Sequence, residues 1–168
     1  RFFSILLIIC FLISAPIQAL ASGQYVYIHD FANLLTESQK NRLENAAQDV
    51  YDTYKLDVVV LTVPTIGNTN AVSYADDYYN NHFSANGVLF LLAMQEREWY
   101  ISTTGKAIQF LSDYELETIG DKVVPYLSDG DYYDGFLKFY SILPQYLNAG
   151  NSTKQSIGFE LLIAILIG

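Results

Sequence analysis

The chemistry-bearing residues of this chain are mainly carboxylates, and a few positions concentrate them. Asp30 follows Tyr25-Val26-Tyr27-Ile28-His29, so it stands where a short strand rich in aromatic and β-branched residues gives way to a loop, a place where polar groups converge in α/β folds. The competing role for Asp30 is an Asx-type turn that caps Phe31-Ala32-Asn33. Asp113 opens a helical pattern with Glu115 and Glu117 behind it, where the helix dipole favours acidic groups, so capping competes with any site role there too. Asn86-Gly87 precedes the apolar run Val88–Met94. Asp129, Asp131 and Asp134 enclose Gly130 and could present oxygen ligands to a hard cation. They lack the downstream Glu of an EF-hand, and a solvated turn leading into a capped helix is the better reading.

Several constellations are missing. The sequence has no glycine-rich phosphate loop, no Gly-x-Ser-x-Gly elbow and no His-Glu-x-x-His helix. A zinc site of ordinary ligand type would need both His29 and His82, and their separation gives no support for one. His29 and Asp30 are adjacent on a strand, point to opposite faces and cannot form a catalytic couple with each other. The only cysteine, Cys10, lies in the N-terminal apolar run, so cleavage of that run leaves no thiol chemistry. The 14 tyrosines suit sugar stacking or protein contact where exposed, although most are expected at core or boundary positions. With 18 acidic and 9 basic residues the net charge is −9, which opposes nucleic acid and anionic lipid surfaces and favours cations.

The ends frame a single domain. Arg1 and the apolar run Phe2–Ile13, followed by Pro16 and Ala19-Leu20-Ala21, read as a signal peptide over residues 1–21; an uncleaved anchor or a core helix is the alternative. Residues 148–156 read as a polar linker and 157–168 as the start of a transmembrane helix, with a buried core helix as the alternative. Glu160 is tolerable at a membrane edge. The expectation is a domain on the extracytoplasmic side of the cell membrane, held there by its C-terminal helix.

Between these ends, residues 25–147 suit one α/β domain with a small mixed sheet and helices on both faces. Thr36 and Gln39 form a capping box ahead of Leu43, Ala46, Ala47, Val50 and Tyr54 at helical spacing. Leu56–Val63 and Val88–Met94 are nearly all apolar, as strands covered on both faces should be. Asn70 caps a second helix; Gln95–Glu98 turns the chain into Trp99–Thr104 as a hairpin; Ser112 and Glu115 form another capping box, and a last helix covers about 131–147.

In order and spacing, Val26–Thr36, Asp57–Val63, Asn86–Leu92, Arg97–Gly105 and Asp129–Gly135 resemble the TPM domain family, also called the TPM phosphatase family after the activity reported for a plant thylakoid-lumen member. The resemblance covers roughly Tyr25 to Tyr146 and implies a Rossmann-like α/β sandwich with an acidic cleft in which some members hold calcium. Carried over by position, the metal residues are Asp30, Asn86 and Asp113, with weak Ca²⁺ the implied cofactor. The chain departs from the pattern in its short Ser84-Ala85-Asn86 segment and in Lys106 after Gly105. The resemblance implies a binding module, calcium-modulated, for assembly or quality control of membrane or envelope proteins, with a protein partner at the membrane surface. The alternative is a metal-assisted phosphatase-type hydrolase, against which stands the lack of an Arg clamp near the motifs.

Overall fold

In a computed structural model, residues 26–83 and 85–167 are described, with side chains as far as residue 150. The segment read as a signal peptide lies outside the described residues.

Four strands form one sheet in the order β1 (Ile28–Asp30), β2 (Asp57–Val63), β3 (Gly87–Ala93), β4 (Glu98–Thr104). The first three are parallel, and β4 returns antiparallel to β3. The mixed sheet expected from sequence is therefore present. Helix α1 (Glu37–Tyr54) crosses from β1 to β2 and α2 (Ala71–His82) from β2 to β3. After β4 come a short 3₁₀ turn (Ala107–Gln109), α3 (Asp113–Asp129) and α4 (Tyr132–Ile167).

Every residue of β2 and β3 is buried, which is why both strands read as nearly continuous apolar runs, broken in β2 only by Asp57 and Thr62, rather than alternating ones. On one face Phe90 meets Phe136 and Phe139 of α4 at ring-centroid distances of 5.9 and 5.2 Å, and the Tyr140 hydroxyl donates to the Val58 carbonyl. Trp99 packs over Gly120 of α3, where a Cβ would lie 2.0 Å from the indole. On the opposite face α2 lies against β1 and β4: Tyr78 bonds His29, and Ser102 bonds Asp76.

The helix starts follow their caps. Thr36 with Gln39 and Ser112 with Glu115 both form the expected boxes, and Asn70 accepts from the Ser73 amide at 2.9 Å. Two boundaries are set by tertiary contacts. The first strand is registered at Ile28–Asp30, Tyr25 lying outside the described residues; the Tyr27 carbonyl still accepts from the Val60 amide, while the Glu44 carboxylate takes the Tyr27 and Ile28 amides. Residues 148–156, read above as a polar linker, are helical and continuous with α4, which runs to Ile167. They are polar, yet they contain no proline, so nothing halts a helix already anchored by Phe136, Phe139, Leu143 and Leu147 in the core. Among the described residues no helix is long and apolar enough to cross a membrane.

Candidate functional site

Asp30 ends β1, and its carboxylate closes the loop that leads into α1. Oδ1 accepts from the Leu34 amide at 3.0 Å and the Thr62 hydroxyl at 2.5 Å; Oδ2 accepts from the Leu35 amide at 2.9 Å. The chain can turn so sharply because Asn33 adopts a left-handed conformation, φ 55°, which Asn tolerates better than most residues. Of the two roles open to Asp30, the turn cap is the one the geometry displays.

Asn86 lies at the other end of the sheet. Asp30 is paired with Thr62, whereas Asn86 immediately precedes Gly87, which is paired with Asp57. Five residue steps along β2, from Asp57 to Thr62, separate those levels, roughly 17 Å at the usual rise per strand residue. The Asn86 side chain accepts from the Lys106 amide at 2.9 Å and ties the end of β4 to the start of β3. Asp113, exposed in the first turn of α3, starts on the Lys106 side, and α3 then runs past Trp99 toward the β3–β4 hairpin. Asp30 and Asn86 thus cannot share one ion, and Asp30 already satisfies three donors. The residues do not fit the calcium site that the resemblance implies. Among the described residues no group of three or more His, Cys, Asp or Glu could hold a metal ion.

The remaining acidic cluster is a helix–helix turn. Gly130 takes φ 85°, the Asp131 amide donates to the Tyr126 carbonyl, and the Asp131 carbonyl receives the Gly135 amide. This closes α3 by a left-handed C-terminal cap and starts α4.

Other side chains are brought together that the sequence did not single out as a group. Around β1 and α2, Tyr78 donates to or accepts from His29 Nδ1 at 2.9 Å and stacks on His82 at 4.2 Å, while His29 Nε2 lies 2.9 Å from the Val26 carbonyl. Since a carbonyl can only accept, Nε2 carries the proton of neutral His29, and Tyr78 donates to Nδ1. Burial lowers the His29 pKa and pushes the Tyr78 phenol up to about 12. Phe31, 52% exposed, and Val26, 56% exposed, extend this aromatic surface outward. The Tyr78-Tyr79 pair was the one available signal: on a helix, neighbours point about 100° apart, so one ring turns to the core and the other to β1.

Tyr79 is the inward ring. Its hydroxyl is buried without a hydrogen-bond partner among the described residues, close to buried Asp57, and burial raises its pKa. Beside it, Asp76, Asn80, Ser102, Thr103 and Thr104 line a shallow polar groove of about 170 Å³, in which Ser102 donates to Asp76 at 2.5 Å. Nothing in the local sequence marks Asp76 and Ser102 as partners, since they lie 26 residues apart on different elements.

Comparison with known proteins agrees with this architecture. A curated relative, UPF0603 protein YdjH of Bacillus subtilis (strain 168), is 22% identical over 157 residues; the alignment covers 88% of this chain and 60% of that protein, so the chain spans less than two thirds of its relative. The solution structure of the N-terminal domain of a P. gingivalis protein superimposes with a TM-score of 0.66 at 21% identity, covering 77% of this chain and 86% of that one. The N-terminal domain of cg2496 protein from Corynebacterium glutamicum gives 0.59 at 17% identity, with 75% and 78% covered. Both likenesses are of fold. The family model described as TPM domain matches residues 28–146, and the chain belongs to that family.

Proposed function

We propose that this domain is a partner-binding module serving the assembly or quality control of envelope proteins, working outside the cytoplasmic membrane and held there by the helix that continues past Ile157. The observation that carries the reading is the aromatic face around His29: Phe31 and Val26 are each more than half exposed beside Tyr78 and His82. Aromatic rings with polar tips, held rigid by hydrogen bonds, supply binding energy at little cost in side-chain entropy. The hydrolase alternative needs the side-chain oxygens of Asp30, Asn86 and Asp113 converging on one ion, and Asp30 and Asn86 stand at opposite ends of the sheet.

The test places a photo-crosslinking amino acid at Phe31 and, as a control, at exposed Asp49 on α1. Discrete adducts in the membrane fraction from position 31 alone are expected, together with no metal-dependent turnover of p-nitrophenyl phosphate by the purified chain. Turnover that disappears in Asp113→Ala would overturn the reading in favour of hydrolysis. A reporter fused after Leu147 that works only in the cytoplasm would overturn the location.

A further inference from the structure

A cleft lies at the β3–β4 hairpin, at the opposite end of β3 from Asn86. It measures about 370 Å³ and is walled by Met94, Val124 and Leu127, with Trp99 and Tyr132 beside them and Arg97 at its mouth. We propose that this cleft captures the free C-terminus of a partner polypeptide that ends in an apolar residue, with Arg97 receiving the carboxylate. The proposal deepens the partner-binding reading but concerns a surface separate from the aromatic face.

Arg97 is the residue that points to a ligand. It occupies the last position of the four-residue turn between Ala93 and Glu98 with φ 58°, a left-handed conformation that such turns ordinarily give to Gly or Asn. An arginine there costs stability that a glycine would not. Arg97 is exposed and makes no ion pair or hydrogen bond among the described residues. The turn itself is secured without it, since Glu96 accepts from the Thr65 hydroxyl and the Ile66 amide. An unpaired guanidinium on a strained backbone, beside a cleft with apolar walls, matches a carboxylate attached to an apolar body.

The cleft floor is prepared rather than fluid. Trp99 stacks on Phe90 at 6.0 Å and is pinned against Gly120, so its ring presents a fixed wall. Arg, Trp and Tyr are the residue types that dominate binding energy at protein interfaces. The volume is near the lower limit for ligand pockets and suits one or two side chains. Ser128 and Tyr132 add hydroxyls to the lining, which the last amides of a peptide can use and a lipid acyl chain cannot. In a chain of net charge −9 an anion is repelled over most of the surface, so Arg97 also defines where one can dock.

Trp99 is the sole tryptophan of the chain and reports occupancy directly. The full chain is titrated with acetyl-Ala-Leu-Phe bearing a free carboxylate, with its C-terminal amide, and with dodecanoate, following indole fluorescence. The free acid is expected to saturate below about 1 mM, and the amide to bind about tenfold more weakly, the effect of one charge-assisted hydrogen bond. Arg97→Gln should lose the same factor. Arg97→Gly should raise the melting temperature while losing affinity, which separates binding from folding. Equal binding of acid and amide, unchanged affinity in Arg97→Gly, or no response at 1 mM would overturn the proposal. Saturation by dodecanoate with the peptide silent would overturn it in favour of an acyl ligand. Because the probes are synthetic and the aromatic face is untouched, failure here leaves the crosslinking result at Phe31 as a separate judgement.

Discussion

Gly87 and Tyr79 approach so closely that a Cβ on Gly87 would lie 2.2 Å from the tyrosine hydroxyl, and 2.1 Å from the Asp57 carbonyl oxygen as well. Gly87 starts β3 directly opposite Asp57, so the side chain of α2 reaches the strand backbone only because no Cβ intervenes. Gly87→Ala must either displace Tyr79 or slide β3 from β2. We expect a loss of about 1–3 kcal/mol, the usual range for overpacking a core, read by urea denaturation. A loss below about 0.5 kcal/mol, the scale of an ordinary surface change, would show that the approach is looser than described.

Asp30 should behave as a structural cap. Asp30→Asn preserves the shape but leaves one acceptor oxygen for donors that now share two, and its amide confronts a backbone N–H. Stripping partners from such groups costs roughly 1–3 kcal/mol. The same loss is expected with and without millimolar calcium. A wild-type chain that calcium stabilises, with the effect abolished in Asp30→Asn, would restore a metal role for this carboxylate.

The contrast between these two positions shows what the sequence could reveal. Capping boxes are local, spanning three residues, and both Thr36–Gln39 and Ser112–Glu115 were legible. The buried strands were legible because burial on two faces leaves no polar alternation. Register was not legible: the sequence places Asp30 after one strand and Asn86 before another, and only the parallel pairing of both strands with β2 shows that the two positions lie at opposite ends of the sheet. The helical continuation of α4 through 148–156 has no signal in their polar composition, because continuity depends on the packed turns before it. Asp76 with Ser102, and Arg97 with its cleft, are tertiary relationships with no local pattern.

Glu44 protects the open edge of β1. Its carboxylate receives the Tyr27 amide at 3.0 Å and the Ile28 amide at 2.9 Å, groups that would otherwise be free to pair with another chain. Glu44→Ala should cost about 1–3 kcal/mol and increase self-association at high concentration, measured by analytical ultracentrifugation. A variant that stays as stable as wild type would mean that solvent replaces the carboxylate without loss.

His29 supplies a pH dependence whose sign follows from its burial. Desolvation lowers its pKa from the ordinary 6.5, outweighing the Val26 carbonyl and the Glu44 charge, which favour the cation. Above pH 6.5 the imidazole is neutral both folded and unfolded, and its contribution is fully present. As pH falls below 6.5 the unfolded chain takes up the proton first, so stability declines until the folded His29 itself titrates. Tyr78 acts at the alkaline end: with its pKa raised from 10.0 to about 12 by burial, its contribution is intact below 10 and is lost as pH rises toward 12. His29→Phe should remove the acid-side decline specific to this residue, and Tyr78→Phe the alkaline one. Denaturation curves across both windows, compared pairwise with wild type, read the two slopes. A wild-type minus His29→Phe difference that is flat between about pH 5 and 7, where histidine ordinarily titrates, would show that the ring is solvated in the folded chain and that the Tyr78 contact does not hold it.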